Sequence, residues 1–350
     1  MAILGGIVVS IIGELGAGFI LSILNVPHDV YGQALLYLRI YLLGMPVILL
    51  YNFEAAIFRS IGDTKVPLKT LVISGIINVL LNLFFVIVLK MTVNGVAIAT
   101  VISNLISALI LLNKLIKTDK YIHVNLKDLR IYKLSLVKIL KIGMPAGIQS
   151  AVFALANIVI QAAINSLGTV VIAASSAAFN IEIFAYDILN SFGQACTTFV
   201  GQNHGAGKID RCKKTLYLCL VEDAIASAMT IALIIVSGKF LLSLFNNNPQ
   251  VIEIGYTRLI VVFTAYAFSM LYEVMSGYLR GFGISLVLAI FTCICICGTR
   301  VLWVEKVFKS YPTFTTIMCA YPLSLALTAI IIFFTLMYYR PSKKMLNKTK

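Results

Sequence analysis

Apolar runs close to 20 residues long recur along this chain from one end to the other. A helix rising about 1.5 Å per residue needs about 20 residues to cross a hydrocarbon core of about 30 Å. Ten stretches reach that length: about 2–24, 33–57, 68–89, 94–115, 140–164, 170–198, 213–236, 251–277, 284–304 and 314–338. Lipid offers nothing to satisfy an open backbone, so each run is expected to be a helix. The runs lack the strict alternation of a lipid-facing barrel strand. Composition agrees. Of 350 residues, 60% are hydrophobic and only 12% are charged, where a water-soluble domain carries about one-quarter charged residues. The expected fold class is an all-α membrane protein.

A net charge of +14 raises the question of nucleic acid, and its distribution answers it. With both termini in the cytoplasm, the cations at 59–69, 114–141, 208–214, 280 and 340–350 all fall in inner loops. The outer ends then hold only Arg39, Lys90, Lys239, Arg258, Arg300, Lys306 and Lys309. This is the positive-inside pattern, so the basic balance sets topology in a cell membrane. No basic face interleaved with aromatics is built for nucleic acid. Residues 2–12 are apolar, but no basic segment precedes them and no small-residue cleavage site follows, so no cleavable signal is expected. The seven cysteines form no disulfide framework; those of "CICIC" (293–297) read as small buried thiols. His28, His123 and His204 lie in separate loops without metal-ligand spacing. No nucleophile, base and orienting group assemble, so no enzyme is expected.

The chain also repeats itself. "GFILSILNVP" (18–27) matches "GKFLLSLFNNNP" (238–249), "YLRI" (37–40) matches "YTRL" (256–259), and "FRSIG" (58–62) matches "LRGFG" (279–283). The pairs come in order about 220 residues apart, an interval that holds six spans. Two six-helix lobes in parallel repeat are therefore expected. Residue 1 then corresponds to about residue 221. Spans 140–164 and 170–198 precede that point and have no counterpart in the earlier copy. The expected architecture is thus a pseudo-symmetric 6+6 bundle lacking its first two helices. A truncated gene, a wrong start codon and a natural short form all remain open. The divisions are an incomplete lobe of four spans at 1–115, a cytoplasmic connector at 116–139, a six-span lobe at 140–338 and a basic cytoplasmic tail at 339–350. The connector, polar and basic with interspersed Leu, Ile and Tyr, reads partly as an amphipathic helix on the membrane surface.

The loop "GQNHGAGKIDRCKK" (201–214) looks like a phosphate cradle but fails as one. A Walker loop needs G-x-x-x-x-G-K followed by Ser or Thr, after a strand. Here Ala206 stands five after Gly201 and Ile209 follows Lys208. A tight inner turn pinned by cations is the better reading. The same loop resembles one in the MATE family, the multidrug and toxic compound extrusion transporters, after that family's eighth helix. "FRSIGDTKVPL" (58–68), "VNGVAIATVIS" (93–103), "IGMPAGIQSAVFALANIVIQAAINSLG" (142–168) and "MSGYLRGFGIS" (275–285) are similar to further motifs of the family, in order. The resemblance covers nearly the whole chain. It implies twelve helices in two lobes, no cofactor, and efflux of drug-like, often cationic compounds in exchange for Na⁺ or H⁺.

Ionisable and amide groups within spans are the candidate site residues. Tyr266, Ser269, Glu273, Ser276 and Arg280 fall on one helix face, and Glu273 there could bind a cation, Na⁺ included, or exchange a proton. Asn180, Asp187 and Gln194 recur every seven residues on another helix, beside Phe184, with Glu182 on a different side; Asp187 is the second candidate, with interhelical bonding an equal alternative. Gln149, Asn157 and Gln161 are amides that join helices or bind substrate. In the first lobe, Asn52 and Glu54 lie near the inner end of their span, Asn52 seven residues before Arg59 as Glu273 is seven before Arg280. Asn78 and Asn82 share a face, and Glu14, Glu222 and Asp223 are weaker candidates. The family pattern is met in part. One branch pairs an acid on the seventh helix with one on the tenth, yet no acid occurs between Lys141 and Glu182, and the tenth-helix position falls at about Ser269, one turn from Glu273. Another branch uses a first-helix aspartate that this chain lacks. Secondary active efflux is the leading expectation, with no nucleic-acid partner and a monomeric state. The alternatives are a lipid-linked oligosaccharide flippase of the wider superfamily, which would need cavity cations, and a truncated remnant that does not transport.

Overall fold

The computed structural model describes residues 1–23, 28–119 and 121–342. Lys120 of the expected connector and 343–350 of the expected basic tail lie outside the described residues, as does the His28 side chain. The chain divides into two compact units, Met1–Leu136 and Val137–Lys350. That division falls inside the segment read as a connector. Unit 1 contains α1 (Ala2–Ile23), α2 (His28–Leu43), α3 (Met45–Ser60), α4 (Lys65–Leu83) and α5 (Val93–Lys117). Unit 2 contains α6 (Lys133–Asn165, entering from unit 1), α7 (Thr169–Gly205), α8 (Ile209–Ser243), α9 (Pro249–Thr264) and α10 (Tyr266–Gly281). A rod follows, from α11 (Leu286–Thr292) through a π turn to α12 (Thr299–Trp303) and a second π turn. Short α13 (Phe314–Met318) and α14 (Ala320–Tyr339) complete the unit. The described residues contain no strand.

Eight helices among the described residues are long and apolar enough to cross a membrane, and the count is ten if each of two bent pairs is one span. Large apolar side chains stay exposed on the helix surfaces, Leu15 at 85% and Val236 at 88%. In water such surfaces would be costly; in lipid they are matched. The chain is a multi-span membrane protein. Two boundaries differ from the sequence reading. The glycine loop shrinks to a turn, because α7 runs on to Gly205 and α8 starts at Ile209, with only Gly207 (φ +71°) left-handed between them. The end of the connector is a continuous helix with the following span, since α6 starts at Lys133 and carries Pro145 inside it. Asn125 through Asp128 form a short capped 3₁₀ turn.

The bent pairs occupy the same place in both copies of the repeat. α2 and α3 meet at Gly44 with a 49° bend, α9 and α10 at Ala265 with 45°. Pro46 explains the first, since it has no N–H and its ring crowds the carbonyl four residues back. No proline marks the second. There Thr264 Oγ1 donates back to the Val261 carbonyl (2.8 Å) and the Ala265 N–H reaches the Val262 carbonyl (3.0 Å), which tightens the turn. Helix starts keep the same spacing: His28 and Pro249, Met45 and Tyr266, Lys65 and Leu286, Val93 and Phe314 are each 221 residues apart. The π turns Phe84–Val88 and Val304–Phe308 close the equivalent rods.

Even the turn chemistry repeats. Gly62 and Gly283 have φ of +81° and +80°. Gly62 N–H donates to the Arg59 carbonyl at 2.9 Å, and Gly283 N–H to the Arg280 carbonyl at 2.8 Å. These left-handed caps satisfy the last carbonyls of α3 and α10. We expect Gly62→Ala and Gly283→Ala each to destabilise their unit by about 1–2 kcal/mol, the cost of a left-handed L-residue. Gly75→Ala, helical and with open space around it, should be neutral or stabilising by up to about 1 kcal/mol. Thermal unfolding midpoints in detergent measure the contrast; equal midpoints would refute the strain.

Candidate functional site

The site in unit 2 begins with a close approach of two helices. A Cβ on Gly193 of α7 would come within 3.1 Å of the Glu273 carbonyl, and one on Gly281 within 2.6 Å of Val200. Small residues let the backbones of α7 and α10 touch, as in lipid-embedded helix pairs generally. That contact brings Tyr186 to Glu273, and the phenol donates to Oε1 at 3.1 Å. Glu273 is only 7% exposed. Asp223 on α8, fully buried, accepts from Ser227 at 2.9 Å, keeps its second oxygen without a partner, and interacts electrostatically with Glu273.

A second polar centre lies on α7, α9 and α12. Arg258 is 2% exposed and grips Glu182 with two bonds, Nε to Oε1 at 2.6 Å and Nη2 to Oε2 at 2.8 Å. Its Nη1 donates to Ser175 Oγ at 2.5 Å. This parallel fork is the strong form of an arginine–carboxylate pair. Arg300 is 1% exposed, and Nη1 donates to Asn157 Oδ1 at 2.7 Å while Nε reaches Ser324 Oγ at 3.3 Å. The ring of Tyr321 contacts both guanidinium groups, 5.7 Å from Arg258 and 4.4 Å from Arg300. Such stacking stabilises a cation held away from water. Of these groups Glu182, Asn157, Arg300 and Tyr321 border a cavity of about 200 Å³ whose walls also include Phe153, Tyr186 and Tyr272.

The cavity gathers part of the sequence prediction. Asn157, Tyr266 and Ser269 line it, with Glu273 one hydrogen bond away through Tyr186. Tyr266 also donates to the Glu182 carbonyl at 3.4 Å. Gln149 is held elsewhere, accepting from Arg280 Nη2 at 3.0 Å. Asn180 donates to its own helix, to the Ser176 carbonyl, and it and Asp187 are exposed on unit 2. Asn52 and Glu54 belong to unit 1: Asn52 is exposed and bonds the Ile48 carbonyl, whereas Glu54 is 3% exposed with no partner for either oxygen. Asn82 bonds Asn78, which reaches Ser103 on α5. Glu14 pairs with Arg39 at 3.5 Å.

Arg258 and Arg300 correct the sequence reading, which placed both at outer span ends. They are interior because Glu182, Asn157 and the aromatic rings supply what water would have given. A signal existed for Arg300: it sits inside the apolar run 284–304 rather than beyond it. Glu182 gave none, since its helix face looked secondary to the one bearing Asp187.

A protein-family model described as MatE matches residues 145–303. A second, described as lipid II flippase MurJ, matches residues 3–182, so the first half of the chain also carries that pattern. The probable multidrug resistance protein YoeA of Bacillus subtilis is 27% identical over 340 residues, 94% of this chain and 73% of its own length. YpnP, another probable multidrug resistance protein of that organism, is 29% identical over 277 residues, 78% of this chain and 62% of its own. A crystal structure of MATE in complex with MaL6 superposes with a TM-score of 0.87 over 98% of this chain and 78% of that one, at 19% identity. The chain resembles the MATE family over most of its length. MATE proteins are transporters, not an enzyme class, and the fold of this one, all helical with paired bent spans, is theirs.

The cavity depends on the Glu182–Arg258 pair for its shape. Arg258→Gln should destabilise unit 2 by about 3–5 kcal/mol by stranding a buried carboxylate, and the double variant with Glu182→Gln should recover part of that loss. Unfolding midpoints of the four proteins in detergent give the cycle; additive losses would show that the two side chains are not coupled.

Proposed function

We propose that this chain carries out secondary active efflux of drug-like compounds across the cell membrane, driven by entry of Na⁺ or H⁺, with both termini cytoplasmic. The observation that carries the reading is the buried Glu273 carboxylate, met by the neutral hydroxyls of Tyr186 and Tyr272 and paired with no cation among the described residues. A carboxylate that meets only neutral hydroxyls in a lipid-embedded unit keeps acceptor capacity for Na⁺, for a proton or for the cationic group of a drug. Alternate occupancy of that one group by coupling ion and substrate is the simplest exchange the geometry allows. The family and the naming of relatives as multidrug resistance proteins support the same reading. A lipid-linked oligosaccharide flippase is the second reading. The MurJ match over residues 3–182 favours it, as do the interior arginines that the sequence reading had left outside.

Vesicle transport of a fluorescent organic cation, driven by a Na⁺ or a proton gradient, decides between them. Glu273→Gln should abolish gradient-driven uptake, a loss of about 100-fold or more for a group used in every cycle. Equal uptake by the two proteins would remove Glu273 from the mechanism, and translocation of a lipid-linked oligosaccharide by the wild type would favour the flippase.

A further inference from the structure

Two guanidinium groups contact one tyrosine ring, and among the described residues a counter-charge meets only one of them. Arg258 has both oxygens of Glu182. Arg300, equally buried, has only neutral partners, the Asn157 amide and the Ser324 hydroxyl. Its Nη2 donates to no group among the described residues, and no carboxylate lies within ion-pair distance of it there. Of the nearby acids, Glu182 is paired with Arg258, and Glu273 meets tyrosine hydroxyls and no arginine among the described residues. Arginine stays protonated in proteins, so its charge cannot be shed. A buried, uncompensated cation is costly, and it is retained where something else brings the missing charge.

The place from which that charge can come is the cavity. Arg300 lines it, beside Phe153, whose ring is 5.1 Å from the guanidinium, and Tyr321. Its volume of about 200 Å³ exceeds the roughly 150 Å³ that accommodates benzene in an apolar core. We infer that this cavity takes a planar aromatic compound bearing a single oxyanion, carboxylate or phosphate, with the oxyanion on Arg300 and the ring among Phe153, Tyr186 and Tyr321. A guanidinium fork matches either oxyanion in two-point geometry, and aromatic walls accept a flat ring. This rests on the efflux reading and adds to it a second substrate class, bound at Arg300 and apart from the organic cations that Glu273 takes. It also sets the substrate's anion apart from Glu273, which is left to cations.

Equilibrium dialysis of the purified full chain in detergent tests it with four ligands of one ring: 2-naphthoate, 2-naphthyl phosphate, neutral 2-naphthamide and cationic 2-naphthylmethylammonium. The two anions should bind about tenfold to a hundredfold more tightly than the amide, the range for a hydrogen-bonded charge, and binding of the cation, which falls to Glu273, should be unchanged by Arg300→Gln. The order of the two anions identifies the preferred oxyanion. Arg300→Gln should erase the gap between anion and amide, whereas Arg300→Lys should keep part of it. Equal binding of all four ligands by the wild type would overturn the inference without any variant, as would a gap that survives Arg300→Gln. Farnesyl pyrophosphate should compete poorly; displacement of naphthoate by it at lower concentration than by naphthyl phosphate would overturn the aromatic requirement. Gradient-driven transport that depends on Glu273 while the wild type does not discriminate among the ligands would sink this inference alone. Anion preference without gradient-driven transport would instead sink the efflux reading.

Discussion

Arg258 is the residue on which unit 2 depends. A guanidinium cannot be buried without its charge being met, and Glu182 meets it from α7 at two points. The pair therefore fixes α9 against α7 at a set height, and the rings of Phe179 and Tyr321 close over the arginine from two sides. The cavity is the space left beside this lock. Hydrophobic burial alone could not specify it, because in lipid the outer and inner faces of a helix are equally apolar. What distinguishes the inner face here is small residues and polar pairs: Gly193 and Gly281 at the α7–α10 contact, Glu182–Arg258, Tyr186–Glu273 and Asn157–Arg300.

The duplication shows which of these features belong to the architecture and which to the site. Both copies have the bend, the left-handed glycine cap and the terminal π turn in register. Arg39 and Arg258 also correspond, and each pairs with an acid on another helix, Glu14 and Glu182 respectively. The environments then diverge. Arg39 keeps 53% of its side chain exposed and meets Glu14 at 3.5 Å, where Arg258 is 2% exposed and meets Glu182 at 2.6 Å. The arginine is thus shared but its partner is not: Glu14 stands on α1, the counterpart of α8, and makes a weak, screened contact, whereas Glu182 stands on α7 and makes a buried lock. Glu273 has an amide, Asn52, at its equivalent position, and that amide is exposed. The site chemistry is consequently a property of unit 2 and not of the repeat.

Length and apolarity made the spans legible, because a bilayer imposes one dimension on every crossing helix. The repeat was legible because Arg and Gly stand at fixed places in otherwise featureless apolar sequence. The α10 face with Tyr266, Ser269 and Glu273 was readable from helical periodicity, and all three are buried. What escaped was anything requiring two helices at once. Glu182 is unremarkable on α7 until Arg258, 76 residues later, is placed opposite it. The charge count assigned Arg258 and Arg300 to the outside because it treats a cation near a span end as solvated. It has no means of seeing a carboxylate or a tyrosine ring supplied from elsewhere in the fold.

The two buried charges that matter lie on either side of a bend. Arg258 is on α9 and Glu273 on α10, and the chain turns by 45° between those helices at Ala265. Arg258 is tied to α7 through Glu182, and Glu273 to the same helix through Tyr186, one turn further along. Both halves of the bent span are therefore registered against a single straight partner. A change in what Glu273 binds acts on α10 but not directly on the α9 lock, and the residues free to absorb the difference are those at the bend. Ligands shift such an arrangement only by the difference in affinity between its states. A cation on Glu273 has that leverage where Tyr186 must turn its hydroxyl away to admit it, and the phenol that would move is itself part of the cavity wall beside Tyr272. In the proposed cycle an ion on Glu273 would reach the cavity wall through the tyrosine hydroxyls that meet this carboxylate.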